Sequence, residues 1–456
     1  MFYETPSIVG VSFLKAETRA FSTLAHARVS AFIEFVGFAF ACIRELTDNN
    51  KYRKKVNTSG GSKAYLKGVY KMNKNPLIEL NEYGQSFWLD NINRPLITSG
   101  ELKRLVEEDG LRGVTSNPTI FEKAITESDA YDEEFAQTVK ESESFDVAAV
   151  TAALTTSDIK QGCDVLRPVF DEASGRDGFV CLEVAPDLAA DTEGTINEAV
   201  ELHKRVNRPN LMIKVPATPE GIPVIEELTN RGICVNVTLM FAFEVYEQVA
   251  EAYLSGLEKR AARGESIKEI ASVASIFVSR VDTKIDKLLD AKINETEDAA
   301  KREEMRELLG KIAIANAKTM YKKYLELFGD DNERWSKLKE KSANPQRLLW
   351  ASTSVKNPAY PDNYYVESLI GKDTVDTMPP ATIESFRDHG KVIATLEQNL
   401  DEAAGTLDKL ESVGINLDGA MQELQDEGVA SFVKSFENLT AALVKKHEAL
   451  ARAVKA

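Results

Sequence analysis

The stretch best suited to chemistry is Asn210-Leu-Met-Ile-Lys214-Val-Pro-Ala-Thr218, where strand-compatible apolar residues run straight into a lysine. Pro216 cannot donate to a sheet ladder, and Pro219 and Gly221 reinforce the stop, so the strand is expected to end near Val215. Lys214 then stands at the C-terminal end of a short buried strand. Desolvating an ammonium disfavours its charged form, and the neutral amine is a nucleophile for carbonyl carbons. The plainer alternative is a lysine that snorkels from the strand end to water. Local sequence alone does not separate the two.

Holding such a lysine takes a scaffold, and from Met72 the chain alternates between strand-like and helix-like stretches. Strands are expected at Ser86-Phe-Trp-Leu89 (ending at Asp90), Gly113-Val-Thr115, Phe179 to Glu183 and the Lys214 segment. Four more follow at Cys234 to Thr238, Ser272 to Phe277, Arg347 to Ala351 and Asp373 to Thr377, the last stopped by Pro379 and Pro380. Thr192 to Val206 and Phe241 to Arg263 carry helical apolar spacing, and Asp282 to Phe328 is long enough for two or three helices. The tail from Thr382 to Lys455 reads as several amphipathic helices. Eight short strands separated by helices point to an α/β fold: a single (β/α)8 TIM barrel with extra C-terminal helices. An open doubly wound sheet competes, but no Gly-rich phosphate fingerprint follows the first strand.

Barrel enzymes place their chemistry at the C-terminal strand ends. Those ends supply Asp90, Asn117, Glu183, Lys214, Asn236 with Thr238, Ser275 and Ser352, so that seven of the eight strands deliver a polar group there. A lysine with two carboxylates suggests imine chemistry, in which acid and base steps need separate carboxylates. Plainer readings stay open: Asp90 as a helix N-cap or a partner of Arg94, Glu183 as a salt-bridged strand end, Thr238 and Ser275 as ordinary strand polar residues. The apolar stripe from Val429 to Leu443 reads as core packing.

Composition bounds the function further. A formal charge of −16 argues against nucleic acid or an anionic membrane as partner, and 43% hydrophobic residues suit a soluble globular protein. Cys42, Cys163, Cys181 and Cys234 show neither metal-ligand spacing nor a paired framework, and histidines number only 4. No metal and no cofactor are expected, and a reducing, cytoplasmic setting is the default. Residues 1–71 do not conform, with 11 Lys and Arg against 5 Asp and Glu. Their apolar run from Val29 to Ile43 is interrupted by Glu34 and too short to span a membrane, and Thr58-Ser-Gly-Gly-Ser62 reads as a linker. This N-terminal extension is upstream of a true start at Met72, a targeting segment or a genuine appendage; residues 72–456 are the expected barrel domain.

Val114-Thr-Ser-Asn-Pro-Thr-Ile120, Leu211-Met-Ile-Lys-Val-Pro-Ala-Thr218 and Gly232-Ile-Cys-Val-Asn-Val-Thr-Leu-Met-Phe241 closely resemble the transaldolase signatures. The resemblance runs from about Met72 to near the C-terminus. Asp373 to Gly390, with Met378-Pro-Pro-Ala381, is similar to the form of the family common in plants and many bacteria. The resemblance implies a (β/α)8 barrel that moves a dihydroxyacetone unit between sugar phosphates in the pentose phosphate pathway. It implies that Lys214 forms the Schiff base, that Asp90 exchanges the C4 hydroxyl proton, and that Glu183 and Thr238 hold a water for proton transfer. Asn117 and Asn236 would bind substrate hydroxyls, Ser275 and Ser352 would line the donor site, and Arg280 would bind phosphate unless it pairs with Asp282. Better-known members place a second phosphate-binding arginine where Ser354 stands here, and Lys356 is the nearest base. A lysine binds phosphate as a point charge, not bidentately. An aldolase that releases dihydroxyacetone, and a non-catalytic sugar-phosphate-binding protein, are the other readings. A homodimer is compatible with the sequence, which does not fix the oligomeric state.

Overall fold

Eight parallel strands close on themselves in simple sequential order, the first pairing with the last. They are β1 (Gln85–Asp90), β2 (Gly113–Thr115), β3 (Phe179–Glu183), β4 (Leu211–Pro216), β5 (Cys234–Met240), β6 (Ser272–Phe277), β7 (Gln346–Ala351) and β8 (Thr374–Met378). The computed structural model describes residues 74–141 and 145–453. The expectations for residues 1–71, including the Val29 to Ile43 run and Cys42, lie outside the described residues. The strands are buried on both faces and largely apolar, because helices cover their outside and side-chain layers fill their inside. This explains why the strands read as apolar runs and not as alternating ones.

The helical expectations are met at Thr192–Val206 and Phe243–Ala262. Asp282 to Phe328 divides into parts of Ser279–Glu295, then Ala299–Arg306 and Ile312–Phe328. The tail supplies Pro380–His389, Leu400–Ser412 and the long Leu417–Ala453 helix. Among the described residues no helix is long and apolar enough to cross a membrane.

β4 runs one residue further than Pro216 was expected to allow. The ladder steps over the missing N–H, because Ala217 N donates to Thr238 O at 2.8 Å. β5 is irregular between Val237 and Met240, with Leu239 at φ 56°. The resulting carbonyls are taken up by the C-terminal helix: Gln425 Nε2 donates to Ala217 O at 2.7 Å and to Leu239 O at 3.2 Å.

The inward face of β1 samples the depth of the barrel in three residues, Ser86, Trp88 and Asp90. At the N-terminal end Asp177 accepts from Ser86 Oγ and from Trp88 Nε1 (2.8 Å), and faces Arg347 at 3.4 Å. Arg347 also donates to Ser86 Oγ and to Arg176 O. The Trp88 indole fills the middle. A Cβ on its register partner Gly113 would lie 2.4 Å from the ring, so β2 needs glycine there. Asp90 opens the upper, C-terminal end.

Candidate active site

Strand register builds the centre of the site. Glu183 pairs with Lys214 and Lys214 with Asn236, so three adjacent strands place these side chains side by side in one layer. Lys214 is 5% exposed. It does not snorkel: its Nζ donates to Ser116 O at 3.0 Å, lies 3.4 Å from Glu183 Oε2, and sits 5.8 Å from the centre of the Phe432 ring. Burial pushes the Glu183 carboxyl up to about 7, with the Lys214 ammonium pulling the other way.

Asp90 stands across the mouth, in register with Thr115 on β2. Thr115 Oγ1 donates to Asp90 Oδ1 at 2.7 Å and lies 2.7 Å from Thr377 Oγ1. Burial raises the Asp90 carboxyl above the usual carboxylate range, against the pull of Lys214 and the Thr115 hydrogen bond. The plainer readings of Asp90 do not hold. Asn93 caps the next helix, and Arg94 is bound by Asp158 and Glu134.

A cavity of about 360 Å³ brings together Asp90, Asn117, Lys214, Thr238, Ser275, Arg280, Ser352 and Lys356. Two expected residues stay outside its wall. Glu183 lines a neighbouring cavity of about 220 Å³ and reaches the first site only through Lys214. Asn236 is fully buried with both amide ends engaged, accepting from Ser275 Oγ at 2.7 Å and donating to Cys181 Sγ at 3.2 Å. Asn117 caps its helix, accepting from Ile120 N at 3.0 Å, while lining both cavities. The Thr238 hydroxyl is buried without a protein partner.

On the far side of the mouth, Arg280 lies in the first turn of the Ser279–Glu295 helix, its guanidinium 5.0 Å from the Phe277 ring centre. It does not pair with Asp282, which is engaged by Ala313 N and Tyr365 Oη. Ser352 follows β7 directly at φ 56°, a conformation uncommon outside glycine, with its Oγ 3.0 Å from Ser279 Oγ. Lys356 Nζ donates to Ser354 Oγ at 2.6 Å, and both line the cavity with Arg280.

Sequence reading missed three contributors. Thr115 and Thr377 flank Asp90, and each is the polar residue closing a predicted strand. Phe432 comes from the stripe assigned to core packing. That assignment fits Phe432, Leu439 and Leu443, all buried in the core, but Phe432 also lies over the lysine as part of the cavity wall.

Comparison with known proteins identifies the family. Residues 87–443 match the family described as Transaldolase/Fructose-6-phosphate aldolase. The chain is 45% identical over 374 residues to the transaldolase of Trichodesmium erythraeum, covering 82% of this chain and 97% of that one. It is 44% identical over 375 residues to transaldolase 2 of a Nostoc species, again covering 82% of this chain and 97% of the relative. With the transaldolase of Thermobifida fusca it shares 46% identity over 365 residues, 80% of this chain and 96% of the other.

Proposed function

Because the chain belongs to the transaldolase and fructose-6-phosphate aldolase family, we propose that it transfers a dihydroxyacetone unit from a ketose phosphate to an aldose phosphate through an imine on Lys214. Fructose 6-phosphate or sedoheptulose 7-phosphate is the donor, and glyceraldehyde 3-phosphate or erythrose 4-phosphate the acceptor, as in the pentose phosphate pathway. The observation that carries this reading is a buried lysine held in register beside a carboxylate and opening on a cavity that also contains Asp90.

The amine attacks C2 of the donor, and the carbinolamine loses water to give a protonated imine. Glu183 is suited to the proton transfers of that step, since a carboxyl near neutrality both accepts and returns a proton. The unpartnered Thr238 hydroxyl, buried close by, supplies a second ligand for a water carrying those protons. The imine withdraws electrons as C3–C4 breaks, and Asp90 takes the C4 hydroxyl proton. Its burial strengthens it as a base. The three-carbon enamine stays on Lys214 until the acceptor aldehyde arrives, and Asp90 then returns the proton. Asn117, Asn236, Ser275 and Ser352 shape the donor site, while Arg280 and Lys356 hold the phosphate.

Transfer wins over release of dihydroxyacetone only if water is kept from that intermediate, and Phe432 over Lys214 favours transfer. Borohydride added with fructose 6-phosphate should label Lys214, as read by peptide mass mapping. A label on another lysine would reject the assignment. Erythrose 4-phosphate should then be converted faster than free dihydroxyacetone accumulates; the reverse ranking would make the enzyme an aldolase.

A further inference from the structure

Arg280 and Lys356 sit on different elements, the first turn of the Ser279–Glu295 helix and the loop that follows β7. Among the described residues neither lies within salt-bridge distance of a carboxylate. Two acid–tyrosine pairs join the helix that carries Arg280 to the segment that follows Lys356. Asp282, two residues after Arg280 and 1% exposed, accepts from Ala313 N at 2.7 Å and from Tyr365 Oη at 3.0 Å. Asp286, one turn further along the same helix, accepts from Gly310 N at 2.9 Å and from Tyr360 Oη at 2.7 Å. Tyr364 Oη donates to Gly310 O at 2.9 Å, and the three tyrosine rings pack in series at 5.5 and 5.2 Å.

Glycine is required at the centre of this contact. Gly310 has φ 72°, and a Cβ there would lie 2.6 Å from Tyr360 Cζ. The Tyr360 ring therefore packs on the turn so closely that a Cβ at Gly310 would displace it. Tyr360 lies four residues after Lys356, so holding the ring holds the loop that carries the base. A lysine needs this more than an arginine would, because its ammonium is a single point charge on a flexible stem. Without the clamp, phosphate would have to order the loop as it bound, at a cost in affinity.

We propose that Tyr360 and Tyr365, through Asp286 and Asp282, are positioning residues that set the Arg280 to Lys356 spacing and thereby the preference for phosphorylated over unphosphorylated ketoses. This rests on the reading of Arg280 and Lys356 as the phosphate site. The test uses Tyr360→Phe and Tyr365→Phe, singly and together, in the full chain. Three quantities are measured: KM for fructose 6-phosphate, inhibition by inorganic phosphate, and borohydride trapping of Lys214 by dihydroxyacetone, which has no phosphate. Loss of the two hydroxyl donors should raise both KM and the phosphate inhibition constant about tenfold. Dihydroxyacetone trapping should be unchanged. Unchanged phosphate binding, or an equal loss in all three measurements, would overturn the proposal. If the double variant fails to fold, Tyr360→Phe decides alone, because its side chain is partly exposed and keeps its ring. Absence of a dihydroxyacetone adduct in the unaltered enzyme would count against the imine and leave the clamp to be judged on inorganic phosphate inhibition.

Discussion

At the N-terminal end of the barrel Arg347 and Asp177 face each other at 3.4 Å, and at the C-terminal end Lys214 and Glu183 do so at the same distance. Both pairs are nearly buried, with side chains about a tenth exposed or less. They differ in how many of their hydrogen-bonding valences are used. Asp177 accepts from a tryptophan, a serine and the arginine, and Arg347 reaches a serine and a backbone carbonyl besides. Around Lys214 the bonds are fewer, the Thr238 hydroxyl has no protein partner, and an open cavity adjoins. A saturated pair holds the barrel together. An unsaturated one leaves hydrogen-bonding capacity beside the cavity, which is what the proposed imine chemistry requires.

The sharpest test of that contrast is Lys214→Ala. Turnover should fall by at least about 10⁴-fold, the scale of losing a covalent nucleophile, while the urea unfolding midpoint stays close to that of the unaltered protein. Asp90→Ala should come next, at about 10²–10⁴-fold for removal of a general base, with Lys214 still trapped by borohydride. Retained turnover would return Asp90 to a structural role.

The opposite end should answer in the opposite currency. Asp177→Ala leaves the Arg347 charge uncompensated and should cost about 3–5 kcal/mol of unfolding free energy, with turnover per folded molecule unchanged. If turnover fell and stability held, the division of labour between the ends would be wrong.

A smaller effect concerns pH. Glu183 is protonated below about pH 7 and ionised above it. A step that needs its carboxylate should therefore make kcat/KM rise with pH through about 7, and Glu183→Gln should lose that rise along with much of the rate. An unaltered profile in the variant would assign the inflection to another group. The smallest effect is expected from deleting residues 1–71. All eight strands lie beyond them, so solubility, unfolding midpoint and turnover should be preserved; a lower midpoint would show that the segment contributes to the barrel's stability.

The two ends also differ in how far they could be read in advance. The C-terminal end is legible because a parallel strand is largely apolar until it stops, and Pro216, Pro186 and Pro379 announce the stops. A polar residue at such a point is conspicuous. What the chain does not announce is register: that Glu183, Lys214 and Asn236 share a layer depends on strand pairing. Asp177 and Arg347 were illegible for a related reason, being one loop residue and one strand residue joined only by closure. Phe432 was hidden inside an apolar stripe. The signal that could have exposed it is polar interruption of the same buried helix face by Gln425 and Ser435, 6% and 7% exposed. Polar residues held there imply partners other than core, and here these are strand-end carbonyls and Thr119.

The reach of Gln425 and Phe432 back to β4 has a consequence for synthesis. The strands are complete at Met378, but the aromatic cover of Lys214 and the donor for the Ala217 and Leu239 carbonyls are translated later, in the last long helix. At roughly 5–20 residues per second, a nascent chain spends seconds with its barrel strands synthesised and the helix that covers Lys214 still to come. In chain order, the wall over Lys214 is thus among the last parts of the molecule to be made.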